Sequence, residues 1–355
     1  MEKLFTLLEK VGAGFDKLTK PIKAKPQFQY LIFGLLFSLI VFLPDLDIIK
    51  WGTMSVIAYI AIYTIVALGL NLLLGFSGLI SLGTAGFVGA GALGIGVFLS
   101  LGWPIELAIV AVLVITALIG ALIGLFSLKV DGIYLAIATL FVGEILNQIY
   151  KQVPIFGGQA IQIGAIKFLG TFELSNIMQD DRKVLFVIVA IAMGLFMALM
   201  YNLIHSKTGR ALLAMSRSEH AAQAMGISLM RYRLVAFISA TVFAAGGGIL
   251  YAIYFQNVPT TSWTLDLSLF IIAMVVVGGF KSIYGTFIGV LIIHGVPNLF
   301  LKDLFGDISY IFSGLLIILV IIFYPNGFVY IGHDLKKWYG KLKQRFKNKE
   351  VNQDG

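Results

Sequence analysis

The stretch GIYLAIATLFVGEILNQIY (132–150) sets a carboxylate, Glu144, and a carboxamide, Asn147, three residues apart in an otherwise apolar run. At helical spacing the two side chains share one face, where they could hold a proton, a cation or the polar end of a solute. A pair of this kind within hydrocarbon either lines a route or ties helices together, and the spacing leaves both open. Asn71, at the inner end of an earlier apolar run, and Thr84, in a glycine-rich one, are further candidates for lining a route. Bond chemistry has no comparable signature. The absence of cysteine removes thiolate nucleophiles and thiolate metal sites, and four scattered histidines make no metal set. No G-x-x-x-x-G-K-[ST] phosphate loop occurs, and no polar segment is long enough for a nucleotide domain. If ATP and Mg drive this protein, separate subunits must bind them.

A second polar stretch, SKTGRALLAMSRSEHAAQAMGI (206–227), interrupts two strongly apolar regions. Ser218 is suited to cap a helix, Glu219 complements its positive end, Ala221, Ala222 and Ala224 favour it, and Gly226 can end it with positive φ. About two turns of helix are marginal alone, so this one is predicted to be docked. Its small, flat face either receives a partner or rests on the chain's own bundle as a connector.

The elements around these residues are set by composition. With 59% hydrophobic residues, 12% charged residues and a mean hydropathy of +0.95, the chain reads as an all-α polytopic membrane protein. Ten spans are predicted, at 30–46, 53–74, 78–101, 105–127, 132–149, 184–204, 234–254, 267–280, 283–299 and 309–324. The glycines of 78–101 and 267–299 would also suit re-entrant or broken helices. Residues 1–28 form a basic N-terminal segment, 29–328 the membrane domain with an inside loop at 205–233, and 329–355 a basic tail.

The net charge of +8 comes from flanks of the bundle, which argues against nucleic acid as a partner. With both termini cytoplasmic, only Lys50, Lys151, Lys167, Arg182, Lys183 and Lys302 of the 26 Lys and Arg residues fall outside. Residues 1–28 lack the uninterrupted apolar core of a cleaved signal. Leu4, Leu7, Leu8, Val11, Phe15 and Leu18 share a helical face, as do Leu335, Trp338, Leu342 and Phe346, so both ends could lie on an anionic leaflet or be solvated. Small-xxx-small patterns, GALIG (120–124) and GTFIG (285–289), and six glycines between Gly83 and Gly96 predict close helix packing.

The pattern GRALLAMSRSEHAAQAMGI (209–227), followed by Arg231, Tyr232 and LVAFISATVFAAGGGILYA (234–252), resembles ABC-importer permeases for branched-chain amino acids, in particular the larger of their two paired membrane subunits. NLLLGFSGLISLGTAGFVGAGAL (71–93), DGIYLAIATLFVGEIL (131–146), VVVGGFKSIYGTFIGVLI (275–292) and YPNGF (324–328) extend the similarity over roughly residues 54 to 328. The resemblance implies that Glu219, Ala221, Ala222 and Gly226 form the E-x-A-A-x-x-x-G coupling helix that enters a cleft on an ATPase, with Gly209 and Arg210 leading into it. It implies a homologous permease partner, two ATPase subunits, an extracytoplasmic binding protein and a prokaryotic cell-membrane location, with no catalysis by this chain. The outer loop FGGQAIQIGAI (156–166) keeps only Gly157 and Gly158 of the family's usual pattern, so the substrate is less firmly indicated than the architecture. Simple sugars, nucleosides and urea are the competing substrates within the family. An ion-coupled transporter using Glu144, or a passive channel, would leave the cytoplasmic helix unexplained.

Overall fold

Backbone in a bilayer must satisfy its own hydrogen bonds, and among the described residues helices do most of this. The computed structural model describes residues 26–44, 51–126, 132–156, 158–163 and 182–302, with isolated positions at 130, 167–168, 172–173 and between 306 and 328. The amphipathic segments predicted at the two ends, and most of the predicted span 309–324, lie outside the described residues.

The helices are α1 (Pro26–Ser38, tightening to a 3₁₀ turn at Leu39–Phe42), α2 (Trp51–Asn71, with a π-helical end Leu72–Ser77), α3 (Thr84–Ser100), α4 (Ile105–Phe126) and α5 (Ile133–Gln152). They continue with α6 (Arg182–His205), α7 (Lys207–Arg217), α8 (Glu219–Ala224), α9 (Leu229–Phe255), α10 (Leu265–Gly278) and α11 (Ile283–Val290, with π-helical turns to Leu301). Among the described residues six helices are long and apolar enough to cross a membrane, namely α2, α4, α5, α6, α9 and α11 with their extensions. Helices α1, α3 and α10 are apolar but shorter.

Within the predicted span 78–101 the helix is incomplete, the broken form that its glycines would suit. The span's first six residues are not helical, and α3 begins only at Thr84. Seventeen helical residues reach about 26 Å, short of the roughly 30 Å hydrocarbon core. Irregular backbone at such depth is tolerated where protein surrounds it. Side chains from neighbouring helices supply the missing partners: Leu82 N–H donates to Thr139 Oγ1 at 3.0 Å, and Ala85 N–H to Ser268 Oγ at 2.9 Å.

Helix α9 is the spine, packed against α2, α3 and α4. The contacts are close because the facing residues are small. A Cβ on Gly91 would run into the Ala245 carbonyl, and one on Gly248 into that of Val88. The GALIG pattern faces Thr241, Leu234 and Phe237 of α9, and Gly289 of GTFIG abuts Gly278 of α10. Burial grades outward from this spine. The apolar window of α2 is 83% buried, those of α4 and α5 only 28%.

Two contacts show which loops share a side. Ala160–Gln162 (β1) pairs antiparallel with Asn257–Pro259 (β4), joining the segments that follow α5 and α9. A second short ladder joins Lys167–Phe168 (β2) to Phe172–Glu173 (β3); neither belongs to an all-helical plan. At the opposite end of the bundle, the end of α2 meets the turn between α10 and α11, and Gly78 lies against Ser216 of α7.

Candidate coupling helix and polar sites

The polar stretch between α6 and α9 folds into two short helices. Ser206 caps α7, its Oγ accepting from Thr208 N–H and Gly209 N–H, and Gly209, Ala211, Leu212 and Met215 are buried. A Cβ on Gly209 would strike the backbone of Ile204, so this glycine permits the sharp corner from α6. Arg210 is exposed and donates through Nη1 to the His205 carbonyl at 3.2 Å.

Helix α8 forms where the local signals place it. Ser218 Oγ accepts from Ala221 N–H at 3.3 Å, Glu219 opens the first turn, and Gly226 leaves the helix at φ +80°. Its faces differ in kind. Ala222 is buried and Ile227 N–H donates to its carbonyl at 3.0 Å, while Ala221, Gln223, Ala224 and Met225 face outward. The alanines therefore do not act alike: Ala222 seats the helix on its own chain, and Ala221 and Ala224 leave a small exposed face. Glu219 is ion-paired to Arg233 near the start of α9, Nη2 to Oε1 at 2.5 Å. Sequence reading counted Arg233 only as an inside charge, because its partner lies 14 residues away across a turn. A cavity of about 640 Å³ opens between α8 and the start of α9, lined by Glu219, His220, Gln223, Met230 and Arg233 among others.

Of the four candidates for the route, Glu144 and Asn147 touch each other, while Asn71 and Thr84 lie in different places. Asn71 is fully buried at the corner of α2 with the α10–α11 turn. Its Nδ2 donates to Thr286 Oγ1 at 2.8 Å and to the Ser282 carbonyl at 3.3 Å, and its Oδ1 accepts from Lys281 N–H at 3.1 Å. Thr84 borders a gap of about 10 Å³ together with Ser81, Thr139 and Thr241, room for about one water. Glu144 stands half-exposed on the outer side of α5, accepting from Gln148 Nε2 at 2.7 Å and Asn147 Nδ2 at 3.4 Å. Helix α5 runs to Gln152, so Glu144 sits about 12 Å below its end, deeper than the predicted boundary at 149 implied. Asn147 is buried and its Oδ1 has no hydrogen-bond partner. Trp263 Nε1 and His294 Nε2 are likewise buried without partners, and no sequence signal had marked them. No group of residues suited to a metal ion occurs among the described residues.

The short capped helix α8 thus sits on a glycine-packed bundle that is mostly helical among the described residues. The profile of the family described as branched-chain amino acid transport system / permease component matches residues 52–321. The chain belongs to this family. It is 30% identical over 299 residues to the high-affinity branched-chain amino acid transport system permease protein LivM of Escherichia coli, covering 78% of this chain and 69% of that protein. A probable branched-chain amino acid transport permease protein LivM of Methanocaldococcus jannaschii is 24% identical, over 77% of this chain and 92% of its own. Similarity also extends to the autoinducer 2 import system permease protein LsrD of Salmonella paratyphi B, 26% identical over 89% of this chain and 93% of that one. No solved structure matches. Members of this permease family move solutes and are not themselves catalysts.

Proposed function

We propose that this permease is one membrane subunit of an ATP-driven importer for branched-chain or related hydrophobic amino acids. It pairs with a homologous permease, docks two ATPase subunits that bind ATP and Mg, and accepts substrate from an extracytoplasmic binding protein. The observation that carries this reading is α8, a capped helix seated through Ala222 with Ala221 and Ala224 turned outward. A connector needs no such exposed, flat face, whereas an ATPase cleft does. Ten spans with both termini in the cytoplasm complete the reading.

The pathway is proposed to run beside α5. Glu144 and Gln148 form a polar patch on a helix whose apolar window is only 28% buried, and lipid offers such groups no partner. A second permease covering this face would enclose Glu144 and Asn147 beside the route. Asn71 and Thr84 are proposed to support the route from its surroundings.

A sugar-type substrate is the second reading, favoured by the fructose import permease protein FruG of Bifidobacterium longum, 25% identical over 51% of this chain and 56% of that protein. The deciding experiment purifies the complex with its ATPases and measures which solute its binding protein retains. Leucine, isoleucine or valine supports the first reading and a sugar the second, while ion-gradient-driven uptake by the lone chain in liposomes overturns both.

A further inference from the structure

We propose that Arg233 is the strut through which α8 drives α9, a positioning residue for transport coupling. The inference rests on α8 being the site of ATPase docking. Helix α8 is six residues long and leans chiefly on α7. Between it and α9 lies the cavity of about 640 Å³, so apolar packing does not bridge them there. The Glu219–Arg233 ion pair does. Arg233 is 3% exposed and anchored near the start of the 27-residue spine helix, whereas Glu219 is 39% exposed at the edge of the docking helix. A partly buried, charge-assisted pair between a planar guanidinium and a carboxylate fixes direction as well as distance.

The consequence is mechanical. Helix α9 touches α2, α3 and α4 through glycine and alanine contacts too close to slide independently. A displacement of α8 that reaches Arg233 is therefore passed to the packed centre of the bundle, and packed interfaces of this kind switch between discrete arrangements. Without the strut, α8 could follow the ATPase while α9 stayed behind. Glu219 is thereby spoken for within the chain: it aims the helix, and the outward alanines make the contact.

The test uses the assembled complex in proteoliposomes and needs no knowledge of the substrate. The chain has no cysteine, so Asn257→Cys, exposed just beyond the far end of α9, provides a single thiol. Its labelling rate is measured with and without ATP plus vanadate. In the otherwise unchanged complex the rate is expected to respond to ATP, and Arg233→Gln is expected to reduce that response at least about fivefold while ATPase content per permease stays constant. Arg233→Lys should retain part of the response. The reversed pair Glu219→Arg with Arg233→Glu should recover more than either single change, an outcome that a general packing defect does not give. Full ATP response in Arg233→Gln, or assembled reversed pairs no better than the singles, overturns the strut. Failure of any ATPase to co-purify with the unaltered permease instead overturns the proposed function.

Discussion

Asn71 and Thr286 are 215 residues apart and joined by a 2.8 Å hydrogen bond that fastens the end of α2 to the first turn of α11. Thr286 Oγ1 donates in turn to the Ser282 carbonyl, which also accepts from Asn71, so one carboxamide closes a small network around the α10–α11 turn. Asn71→Leu leaves the Lys281 N–H and Ser282 carbonyl without this partner. The expected cost is about 1–3 kcal/mol, read as a lower thermal midpoint in detergent. Impaired uptake at unchanged stability would instead make Asn71 a contact for solute.

Gly143 and Gly83 bring α5 and the start of α3 together: a Cβ on Gly143 would lie 2.9 Å from Gly83 Cα. Gly143→Val should force these elements apart and destabilise the bundle by about 1–3 kcal/mol. Gly52→Ala, where a Cβ meets nothing within 4 Å, is the matched control and should be silent. Equal midpoints for the two variants would show that the α3–α5 contact yields without cost.

These two sites also show what was legible in the sequence. Apolar runs gave the helices because length and hydropathy are read within one segment, and Ser218 and Gly226 gave the ends of α8 because caps act within a few residues. Asn71 was visible as a polar residue but not as a clamp, since its partners lie in another span. The Glu219–Arg233 pair was hidden for the same reason. The break at residues 78–83 was foreshadowed by glycines, yet Leu82 N–H within it and Ala85 N–H just after it are satisfied by Thr139 and Ser268, which no local pattern names.

Glu144→Gln keeps the shape of the side chain and its contact with Gln148 while removing charge. If Glu144 lines the route, uptake should fall or change selectivity with assembly and thermal midpoint unchanged. Uptake that falls only in step with protein level would assign Glu144 to helix packing instead.

The pairing of residues 160–162 with 257–259 puts those loops on one side, and the contact of Gly78 with Ser216 belongs to the other end of the bundle. In intact cells Gln159→Cys should react with an impermeant thiol reagent, and Lys207→Cys should react only after permeabilisation. Both positions are exposed. Reversed labelling would invert the proposed orientation, and equal labelling would break the alternation of spans between them.

The final prediction separates the two roles of α8. Ala222 is buried, so Ala222→Glu would force a carboxylate into the chain's own packing and report on folding as much as on docking. Ala221 is exposed and makes the cleaner probe: Ala221→Glu should leave the bundle intact while weakening ATPase co-purification by about tenfold or more, as expected when a charge is buried unpaired at an interface. At Gly226 a side chain would meet nothing within 4 Å, so any effect there must come from φ +80° alone. Gly226→Asn should then be tolerated, and Gly226→Val should misdirect the chain into α9 and lower ATP hydrolysis by the complex. Ala221→Glu with undiminished ATPase recruitment and uptake would reduce α8 to a connector and remove the observation on which the import reading stands.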